Sequence, residues 1–150
     1  MEIMSGLVAI RGACHCRNIR FTLRWPQSET EIPIRECGCT FCKKHAAAWT
    51  SHRLSELELE VHDKTRVSMY GFGTGTADFF TCSKCGVVPA AVSEIDGDQY
   101  AVVNANTFDD VEGVSFIRTS TDFDGEDTGS RLDRRKKNWT PTVTITSSSD

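Results

Sequence analysis

Seven cysteines fall into three tight groups: Cys14-His15-Cys16, Cys37-Gly38-Cys39-Thr40-Phe41-Cys42 and Cys82-Ser83-Lys84-Cys85-Gly86. An odd number excludes a fully paired set of intrachain disulfides. Clustered thiols in a reducing compartment point instead to metal or redox chemistry. In extended backbone, residues i and i+2 face the same side, so Cys14 with Cys16, and Cys37 with Cys39, can each grip one ion. His15 then faces away from that ion, as a surface or packed histidine. The Cys82–Cys85 pair has zinc-knuckle spacing, and Gly86 relaxes the backbone after the second sulfur. Two tetrahedral sites need eight ligands, so seven sulfurs suggest four plus three. A closed four-cysteine site is structural, whereas a three-ligand site keeps one position open for water or substrate. Soft sulfur donors make zinc the leading metal, with an iron–sulfur centre also compatible with the spacing.

Spacing alone leaves two groupings open. In one, Cys14, Cys16, Cys82 and Cys85 share an ion and Cys37, Cys39 and Cys42 form the open trio, which closes with little loop entropy. In the other, Cys39–Cys42 joins Cys82–Cys85 as a zinc-ribbon pair and leaves Cys14, Cys16 and Cys37. Lys43, Lys44 and His45 follow directly. The lysines can offset negative charge or meet a substrate carboxylate, or simply form a solvated helix face. His45, three residues after Cys42, can serve as a proton shuttle, a fourth ligand or an ordinary surface histidine.

Other motifs carry less. GFGTG (71–75) lacks the GK[ST] ending of a phosphate loop, and a turn or pocket rim suits it better. RLDRRKKN (131–138) has the composition of a nucleic-acid patch, but its acidic neighbours favour a solvated tail. Trp49, Phe72, Phe79 and Phe80 suit a core or pocket wall.

The elements that must position these residues are mostly strands. IRFTLRW (19–25) alternates Ile19, Phe21, Leu23 and Trp25 with Arg20, Thr22 and Arg24, the pattern of a half-buried strand. IPIRECGC (32–39), LELEV (57–61), ADFFTC (77–82), GVVPAAVSEI (86–95), QYAVVNANTF (99–108) and VSFIRTS (114–120) add further strands. TFCKKHAAAW (40–49) is the best helical segment, with Thr40 as a cap and three alanines to extend it. The expected domain is 1–121. Residues 122–150 read as a C-terminal tail, partly extended or flexible, with TSSSD (146–150) frayed.

The 150 residues carry 17 Lys plus Arg against 21 Asp plus Glu, a formal net charge of −4. That balance offers no global basic field for nucleic acid. No apolar run approaches the roughly 20 residues that span a bilayer, and the first residues lack the pattern of a signal peptide. A soluble, cytoplasmic protein is the expectation.

GACHCRNIRF, CGCTFCKKH and FFTCSKCG, in this order, resemble the family of glutathione-dependent formaldehyde-activating enzymes, which shares its domain with centromere protein V. The similarity runs from about Ile10 to Phe108, and AVVNANTFDD adds a softer match. The resemblance implies a mainly β fold, an Mss4-like β-tent of antiparallel sheets with short helices, pinned by a structural zinc. It implies that Cys14, Cys16, Cys82 and Cys85 hold that zinc and that Cys37, Cys39 and Cys42 hold a catalytic one, two Zn²⁺ per chain. It further implies joining of glutathione and formaldehyde into S-hydroxymethylglutathione; Lys43 and His45 are the candidate substrate contacts by their own position after Cys42. Against the enzyme stand two other expectations: a non-catalytic, zinc-stabilised β-tent module that binds a protein or chromatin, and a redox or metal-storage role.

Overall fold

The alternation in IRFTLRW decides one sheet. Ile19, Phe21, Leu23 and Trp25 are all buried, and they sit in strand β3 (Ile19–Pro26) of a five-stranded sheet. Its order is β1 (Ile3–Met4), β2 (Leu7–Ala13), β3, β6 (Glu56–Val61) and β12 (Thr142–Ser147). In a computed structural model, residues 3–4, 6–109, 114–121, 123 and 125–148 are described. A second sheet of seven strands has the order β11 (Ser115–Thr121), β4 (Glu31–Cys37), β5 (Trp49–Thr50), β10 (Asp98–Asn104), β9 (Ala90–Ile95), β8 (Asp78–Cys82) and β7 (Val67–Tyr70).

The main core forms between the sheets. Ile10, Leu23, Leu57 and Leu59 come from the first, and Ile32, Ile34, Ala90, Ala101 and Val103 from the second. The period of two then forces the intervening residues of the second sheet outward. Trp49, Ala91 and Val102 gather on that outer face with Cys42, Ala47, Val88 and Trp139 in a smaller apolar cluster. The second sheet is thus covered on both faces, and its outer covering is where the chemistry-bearing residues collect.

The fold is mainly β, with two sheets and few short helices. Three features differ from the sequence reading. Most neighbours are antiparallel, but β11 runs parallel to β4, and β12 parallel to β6. Helix α1 spans only Thr40–His45, because Ala46 turns left-handed at φ 49°. Competing hydrogen bonds end it: Asn106 Nδ2 donates to the Ala46 carbonyl at 2.9 Å, and the Ala48 amide donates to Asn104 Oδ1 at 3.2 Å. Propensity for helix at Ala46–Ala48 yields to these long-range partners.

The third difference concerns the end of the chain. Thr128–Asn138 forms helix α2, capped by Asp127, whose carboxylate accepts from the Ser130 amide at 2.8 Å. Thr140 then exchanges two backbone hydrogen bonds with Ala101, each 2.9 Å, and Trp139 is buried. RLDRRKKN is therefore not a solvated tail: Arg135 is 7% exposed and its stem packs into the protein. Ser149, Asp150 and the expected boundary at Asp122 lie outside the described residues. Among the described residues, no helix is long and apolar enough to cross a membrane.

Candidate metal centres and an arginine-walled cleft

Cys14 follows β2 of the first sheet and Cys82 ends β8 of the second, so two strands from different sheets bring their cysteines together. The sulfurs of Cys14, Cys16, Cys82 and Cys85 all lie within 4.8 Å of one another. Cys14 and Cys16 are 3.8 Å apart, Cys16 and Cys82 3.5 Å. Four sulfurs on a tetrahedral zinc, at about 2.3 Å each, stand about 3.8 Å from one another, so this donor set fits that ion. The turn Cys82–Val87 is closed by the Gly86 amide on the Cys82 carbonyl at 2.8 Å, with Gly86 at φ 81°. Burial pushes the Cys14 thiol up to about 12. Burial also raises Cys85, but hydrogen bonds from the Cys16 and Val87 backbones and from Cys82 and Cys14 outweigh it and bring it down to about 6. A divalent cation is what allows all four to be thiolates at once.

The second group is built at the junction of β4 and α1. Thr121 sits beside Cys37 in the parallel β11–β4 pairing, and the Gly38 amide donates to the Thr121 carbonyl at 2.8 Å. Cys39 caps α1, its sulfur accepting from the Cys42 amide at 3.4 Å. The sulfurs of Cys37, Cys39 and Cys42 again lie within 4.8 Å of one another, and among the described residues no fourth ligating side chain joins them. Trp49 Nε1–H donates to Cys42 Sγ at 3.2 Å. The Cys42 thiol is raised above its usual range by its contact with Cys37 and then by burial, with the Trp49 hydrogen bond acting in the opposite direction.

These three cysteines line a cleft of about 450 Å³, within the range of about 300–1,000 Å³ common for small-molecule sites. Trp49, Phe72, Phe79 and Trp139 contribute its apolar lining. Arg35, Arg131, Arg134 and Arg135 line it as well, with Glu126. Arg35 and Cys37 share one face of β4 because they are two residues apart, and Arg35 pairs across the sheet with Trp49. Burial, then the nearby Arg134, lowers the Arg35 value; burial, then Arg131 and Arg134, brings Arg135 down to about 10. Both remain charged at neutral pH. A second, more open hollow of about 540 Å³ reaches Cys37 and Cys42 beside Glu36 and Lys43.

The sulfurs do not adopt the zinc-ribbon grouping of Cys39–Cys42 with Cys82–Cys85. His15 is exposed. His45 is exposed too, its ring 4.4 Å from that of Phe41, and it joins neither sulfur group. Phe72, Gly73, Thr74 and Thr76 place the YGFGTGT stretch at the cleft rim. The sequence reading missed the arginines. Their signals were the shared face of Arg35 and Cys37, and the i, i+3, i+4 spacing of Arg131, Arg134 and Arg135.

Comparison with known proteins gives a consistent picture. The family model described as glutathione-dependent formaldehyde-activating enzyme matches residues 9–121. The crystal structure of a Rhodobacter sphaeroides protein is similar at 25% identity, with a TM-score of 0.52, over 71% of this chain and 99% of that one. A search of curated proteins returned no match.

Proposed function

This chain belongs to the glutathione-dependent formaldehyde-activating enzyme family, and on that premise we propose that it is a zinc-dependent carbon–sulfur lyase or synthase, joining glutathione or a related thiol to formaldehyde as S-hydroxymethylglutathione. The observation that supports this is a three-sulfur group in the lining of a cleft, without a fourth protein donor among the described residues. Cys14, Cys16, Cys82 and Cys85 would hold a structural zinc, and Cys37, Cys39 and Cys42 a catalytic one. Zinc bound by three cysteines supplies an open position at which an incoming thiol is ionised at neutral pH.

The addition forms a carbon–sulfur and an oxygen–hydrogen bond and breaks the thiol S–H and the carbonyl π bond. The sulfur lone pair attacks the carbonyl carbon, the carbon–oxygen double bond opens, and the thiol's proton ends on the new hydroxyl oxygen. The chain's larger contribution is to bring two small solutes into one complex. Trp49 fixes Cys42 Sγ through its N–H. Thr121 adds a buried hydroxyl without a hydrogen-bond partner to the lining of the cleft. Phe72 and Phe79 keep the wall apolar. Lys43, beside Cys37 and Cys42 in the second hollow, would meet a glutathione carboxylate. His45 does not line the cleft, so any contact it makes with substrate would lie outside it. None of the seven cysteines is in a disulfide, which suits a cytoplasmic setting.

The test is metal content per chain for the parent and Cys39→Ala, with glutathione–formaldehyde exchange followed by NMR. The expected result is two zinc ions in the parent, one in the variant, and acceleration lost with the second ion. A fully metallated parent without acceleration would favour the binding-module reading, in which both metals are structural.

A further inference from the structure

We propose that α2, which lies beyond the residues matched to the family, makes the cleft selective for a substrate that carries a carboxylate, with Arg35 and Arg131 as specificity-determining residues. The inference rests on the reading of this cleft as the substrate site. Its basis is a charge imbalance among the described residues. Four guanidinium groups line the cleft, and Glu126 is the one carboxylate that lines it with them. Glu126 is already engaged: Arg134 binds it through two nitrogens, at 3.0 and 3.2 Å. Arg131 Nε stands 3.8 Å from the same carboxylate, near enough for an ion pair and too far for a hydrogen bond. That nitrogen is buried and has no hydrogen-bond partner.

Arg135 is deeper. Its Nη1 donates to Thr76 Oγ1 at 2.8 Å, to Ser93 Oγ at 3.1 Å and to the Thr76 carbonyl at 3.2 Å, while its Nε is buried without a partner. These partners are neutral, and the one carboxylate that acts on its charge is Glu126, which Arg134 already binds. Arg35 is held by Ser51 Oγ, also neutral, at 2.5 Å. A divalent ion on three thiolates would carry one net negative charge. With Glu126, that answers two of the four cations. Buried charge without a counter-ion is costly, and a bound anion removes that cost. Guanidinium forks match carboxylates in a planar, two-point geometry that a lysine cannot offer. Because Arg131, Arg134 and Arg135 lie on one helical face, a single helix contributes three of the four to the lining that the sulfur group shares.

The test uses the metal-loaded full chain and a probe without a free thiol. Isothermal titration calorimetry compares S-methylglutathione with its diester, whose carboxylates are masked. The expected result is that the parent binds the acid at least tenfold more tightly, and that Arg131→Gln and Arg35→Gln each reduce this preference to less than threefold. Arg35→Lys should retain part of it. Equal binding of acid and diester by the parent overturns the proposal, and so does full preference in both folded glutamine variants. The parent comparison needs no substitution, so a variant that fails to fold leaves the test standing. Exchange measured in parallel separates the two readings. Preference without acceleration sinks the proposed reaction and keeps the anion site; acceleration without preference does the reverse.

Discussion

The indole N–H of Trp49 points at Cys42 Sγ across 3.2 Å, and the same ring meets Phe79 edge-on at 5.7 Å between centroids. One side chain therefore has two contacts: its N–H would stabilise charge on a sulfur proposed to hold zinc, and its ring closes the wall of the cleft. A donor to a ligand atom orients it and tunes its basicity. Trp49→Phe separates the two, because a phenyl ring keeps the wall and removes the N–H. The expected outcome is a fold unchanged by circular dichroism, with one of two metal ions held about 10–100-fold more weakly. Competition with a chromophoric chelator checks it; two ions held as in the parent would assign Trp49 to packing alone.

Gly12 opens the GACHC stretch for a steric reason. A Cβ there would collide with the Phe21 ring and with the Thr107 carbonyl. Gly12 also bridges Phe108, which brings the end of β2 against the turn after β10. Gly12→Ala is expected to cost about 1–3 kcal/mol through overpacking. It should also displace Cys14, two residues on. Urea unfolding and metal content together test this, and a variant as stable as the parent with two tightly held ions would contradict it.

Asn104 ties the segment after α1 to the rest of the second sheet. Its Oδ1 accepts from the amides of Ala48 and Asn106, each at 3.2 Å, and its Nδ2 donates to the Val88 carbonyl at 3.1 Å. Asn104→Ala strands buried groups, at about 1–3 kcal/mol for each one left unsatisfied. The expected outcome is a melting temperature lower by at least about 5 °C. Metal should loosen first at Cys37, Cys39 and Cys42, since Asn104 secures the segment that leaves α1. Loss of both ions together would point to a global effect instead.

How much of this was legible in the sequence depended on the range of each interaction. The alternation of Ile19, Phe21, Leu23 and Trp25 is local, and β3 follows from it. The sulfur clusters are local too, down to the sharp turn at Gly86. Which clusters meet is not local: Cys14 joins Cys82 only because β2 and β8 belong to sheets that face each other. The end of α1 at Ala46 is set by Asn104 and Asn106, some 60 residues away, and no propensity of Ala46–Ala48 reports that. Helix α2 was hidden by its polarity. Leu132 is its lone large apolar residue, and the burial is carried by arginine stems that charge patterning reads as solvent-facing.

Glu126 gives the cleft a pH signature. Hydrogen bonds from Arg134 hold its carboxyl below the ordinary value, about 4.3 for a free glutamate. With the folded value below the unfolded one, the unfolded chain takes up its proton first as pH falls. The stabilisation is therefore complete above the unfolded value and is lost as pH drops through the folded value. Glu126→Gln removes this pH-dependent part. Urea unfolding of parent and variant, both metal-loaded, should show the largest gap near neutral pH and a closing gap between about pH 5 and pH 3. Protonation of the cysteines would weaken metal binding in both proteins alike and so would largely cancel in the difference. A gap that stayed constant down to pH 3 would mean that Arg134 holds the Glu126 side chain by shape rather than by charge.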